Sequence, residues 1–133
     1  MSWQAYVDSS LVGSGNVDKA AIFSKAGDSV WAASSGFTLS KEEITKIVES
    51  FTDKGDSSGF KQISANGFYV GGEKFVTLLA EGRSLYGKKG KEGIVIVQTT
   101  QALLIAHYPE TVQPGAAANT VEQLADYLTG LGY

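Results

Sequence analysis

The chain offers little that could do covalent chemistry. Its single histidine, His107, precedes Tyr108-Pro109 at the end of an apolar run, and a lone histidine there reads as a structural or surface residue. Cysteine is absent, so there is no thiolate nucleophile, disulfide framework or zinc knuckle. No Gly-x-Ser-x-Gly elbow, His-Glu-x-x-His pair or phosphate loop occurs, and Gly13-Ser14-Gly15 lacks the further glycine of a dinucleotide fingerprint. The carboxylates Glu42 and Glu43 fall at a helix start, where they complement the helix dipole. Lys88, Lys89 and Lys91 make the one local basic cluster, which a solvated turn between strands accounts for. The aromatics Trp3, Tyr6, Trp31, Tyr127 and Tyr133 come from three segments distant in sequence, and by residue type alone they would be core. The expectation is a protein that is not an enzyme and needs no cofactor or metal.

The elements that must position these residues follow from periodicity. Trp3, Tyr6, Val7 and Ser10-Leu11 are at helical spacing, Ser2 is placed to cap them, and Gly13-Ser14-Gly15-Asn16 breaks the helix. Residues 20–24 and 29–33 read as two strands joined by the hairpin-type turn Lys25-Ala26-Gly27-Asp28. Ser40 with Glu43 is a capping box opening a helix whose apolar positions are Ile44, Ile47, Val48 and Phe51. The polar, glycine-containing stretch from Thr52 to Gly59 predicts a surface loop. Strand-like runs then follow at 68–70, 75–79, 84–86, 93–97 and 102–106, with mostly short linkers that favour antiparallel hairpins. A last helix spans about Pro114 to Leu131, with Pro114 in its first turn and Val121, Leu124, Ala125, Leu128 and Leu131 as its apolar stripe. The order gives an α+β fold: one antiparallel sheet with helices packed upon it.

A length of 133 residues is that of one domain, 1–133, large enough for a core without staples. With 43% hydrophobic and 19% charged residues the composition is that of a soluble globular protein. The formal charge of −3 argues against nucleic acid as a partner. The start Met-Ser-Trp-Gln-Ala-Tyr-Val-Asp lacks the basic and apolar regions of a signal peptide. No apolar stretch approaches the ~20 residues that span a bilayer. Without heptads, a monomer is the default.

The whole chain resembles the profilin family, in its fungal, plant and amoeba form. The resemblance is carried by Ser2-Trp3-Gln4-Ala5-Tyr6-Val7-Asp8, Gly27-Asp28-Ser29-Val30-Trp31-Ala32 and Ala80-Glu81-Gly82-Arg83-Ser84-Leu85-Tyr86-Gly87-Lys88. It continues through His107-Tyr108-Pro109-Glu110 and Leu124-Ala125-Asp126-Tyr127-Leu128, with Tyr133 last. Two departures stand out: the 52–62 loop is longer than in many relatives, and Leu79 stands where many fungal members carry a basic residue.

The resemblance implies a central antiparallel sheet with N- and C-terminal helices on one face and a shorter helix on the other. It implies a groove for proline-rich peptides made by Trp3, Tyr6, Trp31, Tyr127 and Tyr133 with Leu128 in the floor. It further implies a surface for monomeric actin on Lys74, Glu81, Arg83, Lys88, Gly115, Asn119 and Gln123, and contact of Lys88, Lys89 and Lys91 with phosphoinositide headgroups at the membrane surface. The family's work is to hold actin monomers, promote their nucleotide exchange and deliver them to proline-rich partners such as formins, in the cytoplasm and the actin-rich cortex. A small-molecule sensor domain of similar strand-helix order is the alternative, and it would need an enclosed ligand cavity.

Overall fold

The computed structural model describes residues 2–52, 63 and 66–133. The 53–62 part of the anticipated long loop lies outside them, while Thr52 ends a helix.

The chain begins with α1 (Trp3–Ala5), capped by Ser2, whose Oγ accepts from the Ala5 N–H at 3.1 Å. The sequence pattern predicted ordinary helix to Leu11. Instead the helix widens into a π-helical stretch, Tyr6–Leu11, in which the Val12 N–H reaches back five residues to the Val7 carbonyl. A 3-10 turn, Val12–Ser14, closes it. Such widened turns are frequent at functional sites. Here the stretch buries Tyr6, Val7 and Leu11 together.

Seven strands follow: β1 (Lys19–Ser24), β2 (Val30–Ala33), β3 (Phe68–Val70), β4 (Glu73–Glu81), β5 (Ser84–Lys89), β6 (Glu92–Gln98) and β7 (Ala102–Tyr108). They form one sheet in the order β2-β1-β7-β6-β5-β4-β3, every pairing antiparallel. The hairpins β3 to β7 make a meander, and β1 then pairs with β7, so the first and last strands meet mid-sheet. All seven residues of β7 are buried, because helices cover both of its faces.

Alternation along the strands divides the core in two. On one side Ala20, Ile22, Val95, Val97, Leu104 and Ala106 lie beneath the N-terminal helix and α3 (Pro114–Gly130). On the other, Phe23, Ile94, Ile96, Leu103 and Ile105 lie beneath α2 (Lys41–Thr52). The anticipated placement of helices on the two faces holds. The anticipated capping box is formed as well: the Glu43 N–H donates to Ser40 Oγ at 3.1 Å and the Ser40 N–H to Glu43 Oε1 at 2.8 Å. The Glu43 carboxylate also accepts from the N–H groups of Gly71 (3.2 Å) and Gly72 (2.7 Å), tying the β3–β4 turn to α2.

His107 is structural in its setting, only 4% exposed on β7. Its Nδ1 lies 2.6 Å from Asp18 Oδ1 and its Nε2 lies 2.8 Å from Glu92 Oε1. Gly93, directly opposite Tyr108, is required by crowding: a Cβ there would sit 2.1 Å from the Tyr108 hydroxyl. No described helix is long and apolar enough to cross a membrane.

Candidate functional site

The N-terminal helix and α3 lie against each other, and the N-terminal helix also packs on β1 and β2. Trp3 is thereby brought to the β2 end of the sheet. Trp31 reaches it through a β-bulge: Phe23 pairs with Val30 and Ile22 with Ala32, so Trp31 is the extra residue. Simple alternation with the buried Ala32 would send Trp31 to the opposite face. The bulge re-aims it toward the terminal helices, and it packs against their core.

Trp3 is the hub of the resulting cluster. Its ring centroid lies 4.6 Å from Trp31, 5.6 Å from Tyr6 and 5.2 Å from Tyr133, the last at 89° in an edge-on contact. Tyr127 extends the row, 6.2 Å from Tyr6. Tyr127 and Tyr133 are 56% and 43% exposed while Tyr6 is nearly covered, so the rings form a surface with a buried base. Leu128, placed in the floor by the sequence reading, is fully buried in the core below the rings. Tyr133 arrives by a Schellman turn: the Tyr133 N–H donates to Leu128 O at 2.9 Å and the Gly132 N–H to Thr129 O at 3.0 Å. Gly132 sits at φ +91°, in the left-handed region that favours glycine.

The cluster is neutral and rich in donors. Neither indole N–H, nor the Tyr133 hydroxyl, has a hydrogen-bond partner among the described residues. Burial, aided by the Tyr127 hydroxyl, pushes the Tyr6 phenol above its ordinary value, so it stays protonated at physiological pH. Aromatic faces with outward donors suit an extended ligand that presents flat apolar surface and backbone carbonyls.

A second surface lies on the same side of the sheet, five strand positions from β2. Here α3 covers β6 and β7 but leaves β4 and the outer part of β5 open. Val76 and Leu78 on β4 are 63% and 57% exposed, large apolar residues in water. Leu78 is itself a bulge residue, since Thr77 pairs with Gly87 and Leu79 with Tyr86. Around these lie the exposed Lys74, Glu81 and Lys88, while Gly115, Asn119 and Gln123 recur every four residues on the exposed side of α3. Leu79 is only half-exposed.

Arg83 stands apart from the other charged residues named for this surface, because it is engaged within the chain. Its Nε donates to Glu122 Oε1 at 3.1 Å and its Nη2 to Asp126 Oδ1 at 2.8 Å. Glu122 is the hub, accepting also from Ser84 Oγ at 2.6 Å and from the Tyr86 hydroxyl. Burial and that carboxylate push the Tyr86 phenol up to about 12. Within the basic turn Lys88, Lys89 and Lys91 are all exposed, and Lys89 Nζ also pairs with Glu73 Oε1 at 2.9 Å on the surface. That hydrogen bond holds the Glu73 carboxyl below the usual range. The sequence reading missed Val76, Leu78 and Glu122. Exposed β-strand apolars carry no local mark, but Glu122 and Asp126, four apart and thus on one helix face, were a signal for a cation partner.

Comparison with known proteins agrees over the full length. The Profilin family model matches residues 1–133. A curated profilin from Schizosaccharomyces pombe is 54% identical over 133 residues, covering all of both chains. A solved S. pombe profilin superposes with a TM-score of 0.90, covering 99% of this chain and 100% of that one. At the level of fold alone, mouse profilin IIa, solved in complex with a double repeat from the FH1 domain of mDia1, superposes with a TM-score of 0.78 at 24% identity, covering 100% of each chain.

Proposed function

The chain belongs to the profilin family, and from that premise we propose that it binds monomeric actin on the open β4–β5 face and proline-rich peptides in the Trp3-centred groove. The observation that carries the groove reading is the convergence of Trp3, Trp31 and Tyr133, whose polar hydrogens have no partner among the described residues. A proline-rich segment is already a polyproline II helix and loses little conformational entropy on docking. Proline lacks an N–H but keeps a strong carbonyl acceptor, matching rings that supply donors. Formin-type segments, of the class seen in the mouse complex, are the partner chemistry this fits.

On the second face, Val76 and Leu78 supply the apolar centre that a protein interface needs, with Lys74, Lys88, Glu81, Asn119 and Gln123 as its polar surround. The lysines favour encounter with an acidic partner more than they add affinity. Arg83 serves this face chiefly as an internal brace. Binding an open actin conformer better than a closed one promotes nucleotide exchange by shifting populations, with no catalytic group required. Holding actin on one surface and a proline-rich nucleator on the other raises the effective actin concentration at a growing filament end. Phosphoinositide headgroups would meet the exposed Lys88, Lys89 and Lys91, with Lys89 exchanging its surface pairing to Glu73 for the headgroup. A cortical, cytoplasmic location follows from these partners.

Titration with polyproline, followed by tryptophan fluorescence, tests the groove. Saturable change that Trp3→Ala abolishes supports it. No change at millimolar proline, with the protein folded by circular dichroism, removes the adaptor mechanism and turns attention to an enclosed ligand.

A further inference from the structure

We infer that Thr99 and Gln101, in the turn between β6 and β7, are positioning residues for the peptide groove: they anchor the backbone of Gly132 and Tyr133 and thereby hold the Tyr133 ring against Trp3. The inference rests on the groove reading above.

The Schellman turn at Gly132 reverses the chain but engages only N–H groups of the last two residues. Their backbone oxygens are held from the other side. Thr99 Oγ1 donates to Tyr133 O at 2.7 Å, the Gln101 N–H donates to the same oxygen, and Gln101 Nε2 donates to Gly132 O at 2.7 Å. A single three-residue turn therefore grips the backbone oxygens of two successive residues with three donors.

Thr99 is 6% exposed, and its buried hydroxyl has two tasks. It accepts from the Ala102 N–H at 3.0 Å, closing its own turn, while donating outward to Tyr133. The turn is fixed in a second direction as well: the Lys25 N–H donates to Gln101 O at 2.9 Å. Lys25 lies in the β1–β2 connection, so the turn is bonded to the hairpin that supplies Trp31 and to the segment that supplies Tyr133. It fixes the spacing of two walls of the groove. A ring as exposed as Tyr133 would otherwise lose conformational freedom on meeting a ligand, and anchoring its backbone lowers that cost in advance.

Thr99→Val, Thr99→Ser and Gln101→Ala are compared for proline-decamer affinity, thermal midpoint and actin affinity. Thr99→Val is expected to weaken the peptide about fivefold and Gln101→Ala about two- to threefold, the scale of single hydrogen bonds. Thr99→Ser should bind as wild type, and actin affinity should not move in any variant. In a Tyr133→Ala background Thr99→Val should cost nothing more, because both act through one ring. Wild-type peptide affinity in both Thr99→Val and Gln101→Ala, or full additivity with Tyr133→Ala, overturns the inference. Should Thr99→Val fail to fold, the exposed Gln101→Ala decides. Proton NMR contacts between Tyr133 and Trp3, read without peptide, separate the two readings. If the wild-type protein binds no proline peptide but these contacts vanish in the variants, the groove reading falls and the anchor stands.

Discussion

The aromatic groove and the open β4 face lie on one side of one sheet, and each is aimed by a β-bulge, yet the two bulges come to opposite ends. At Trp31 the re-aimed side chain is met at once by Trp3, beneath the packed terminal helices. At Leu78 the re-aimed side chain stands 57% exposed, with no described helix above it. The difference lies in cover, since α3 lies over β6 and β7 and stops short of β4. One surface is finished within the chain, a row of rings held by one another. The other leaves Val76 and Leu78 in water, and under the proposed function actin covers them. Charge follows the same division: the groove rings are neutral, while the open face carries Lys74, Lys88 and Glu81 and has its arginine drawn inward.

The comparison breaks most visibly at Trp31. Trp31→Ala removes the ring that the bulge exists to place, and truncating a central aromatic anchor costs upward of 2 kcal/mol of binding, about 30-fold in affinity. Proline-peptide affinity should fall by about that factor while actin affinity holds within about twofold, as measured by fluorescence titration and actin sedimentation. An equal fall in both would mean that the two surfaces are not separate. Leu78→Ala is the converse and smaller test. It should weaken actin about fivefold, typical of losing one apolar contact at an interface, and leave peptide affinity unchanged. Unaltered actin affinity would move the actin surface off β4.

Much of this was legible in the sequence, and the failures have physical causes. The Ser40–Glu43 capping box, the hairpin from β1 to β2 and the proline-led last helix are local devices, and local devices can be read from neighbouring residues. The π-helical winding of Tyr6–Leu11 is not local: the same spacing of Trp3, Tyr6 and Val7 suits an α-helix, and packing on the sheet selects the wider turn. The bulges were equally invisible, since they depend on the partner strand's register. Without them alternation assigns Trp31 to the wrong face and leaves Leu78 unremarked. The resemblance, not residue type, places Arg83 among the actin-facing charges. The spacing of Glu122 and Asp126 on α3 signals a cation partner, and the tertiary fold identifies that partner as Arg83, remote in sequence.

That brace bears on the comparison in a subtler way, because it fastens α3 to β5 between the two surfaces. Glu122 gathers Arg83, Ser84 and the Tyr86 hydroxyl. Burial and the Glu122 hydrogen bond raise the folded-state Tyr86 phenol to about 12, above the value of about 10 it has in the unfolded chain. A raised pKa means that the folded state holds this proton more tightly. The stabilisation is therefore complete below about pH 10 and is lost as pH rises through about 12. Tyr86→Phe keeps the ring and leaves Glu122 with its arginine, so its cost at pH 7 should be about 1 kcal/mol, one hydrogen bond. Urea-unfolding curves of wild type and variant should differ by that amount at neutral pH and converge between pH 10 and 12. Parallel curves across that range would show that Tyr86 does not hold its proton through Glu122. At pH 7 both ligand affinities should stay within about twofold of wild type. A brace that Tyr86→Phe leaves standing on Arg83 keeps α3 in place, and with it the separation of the finished groove from the open face.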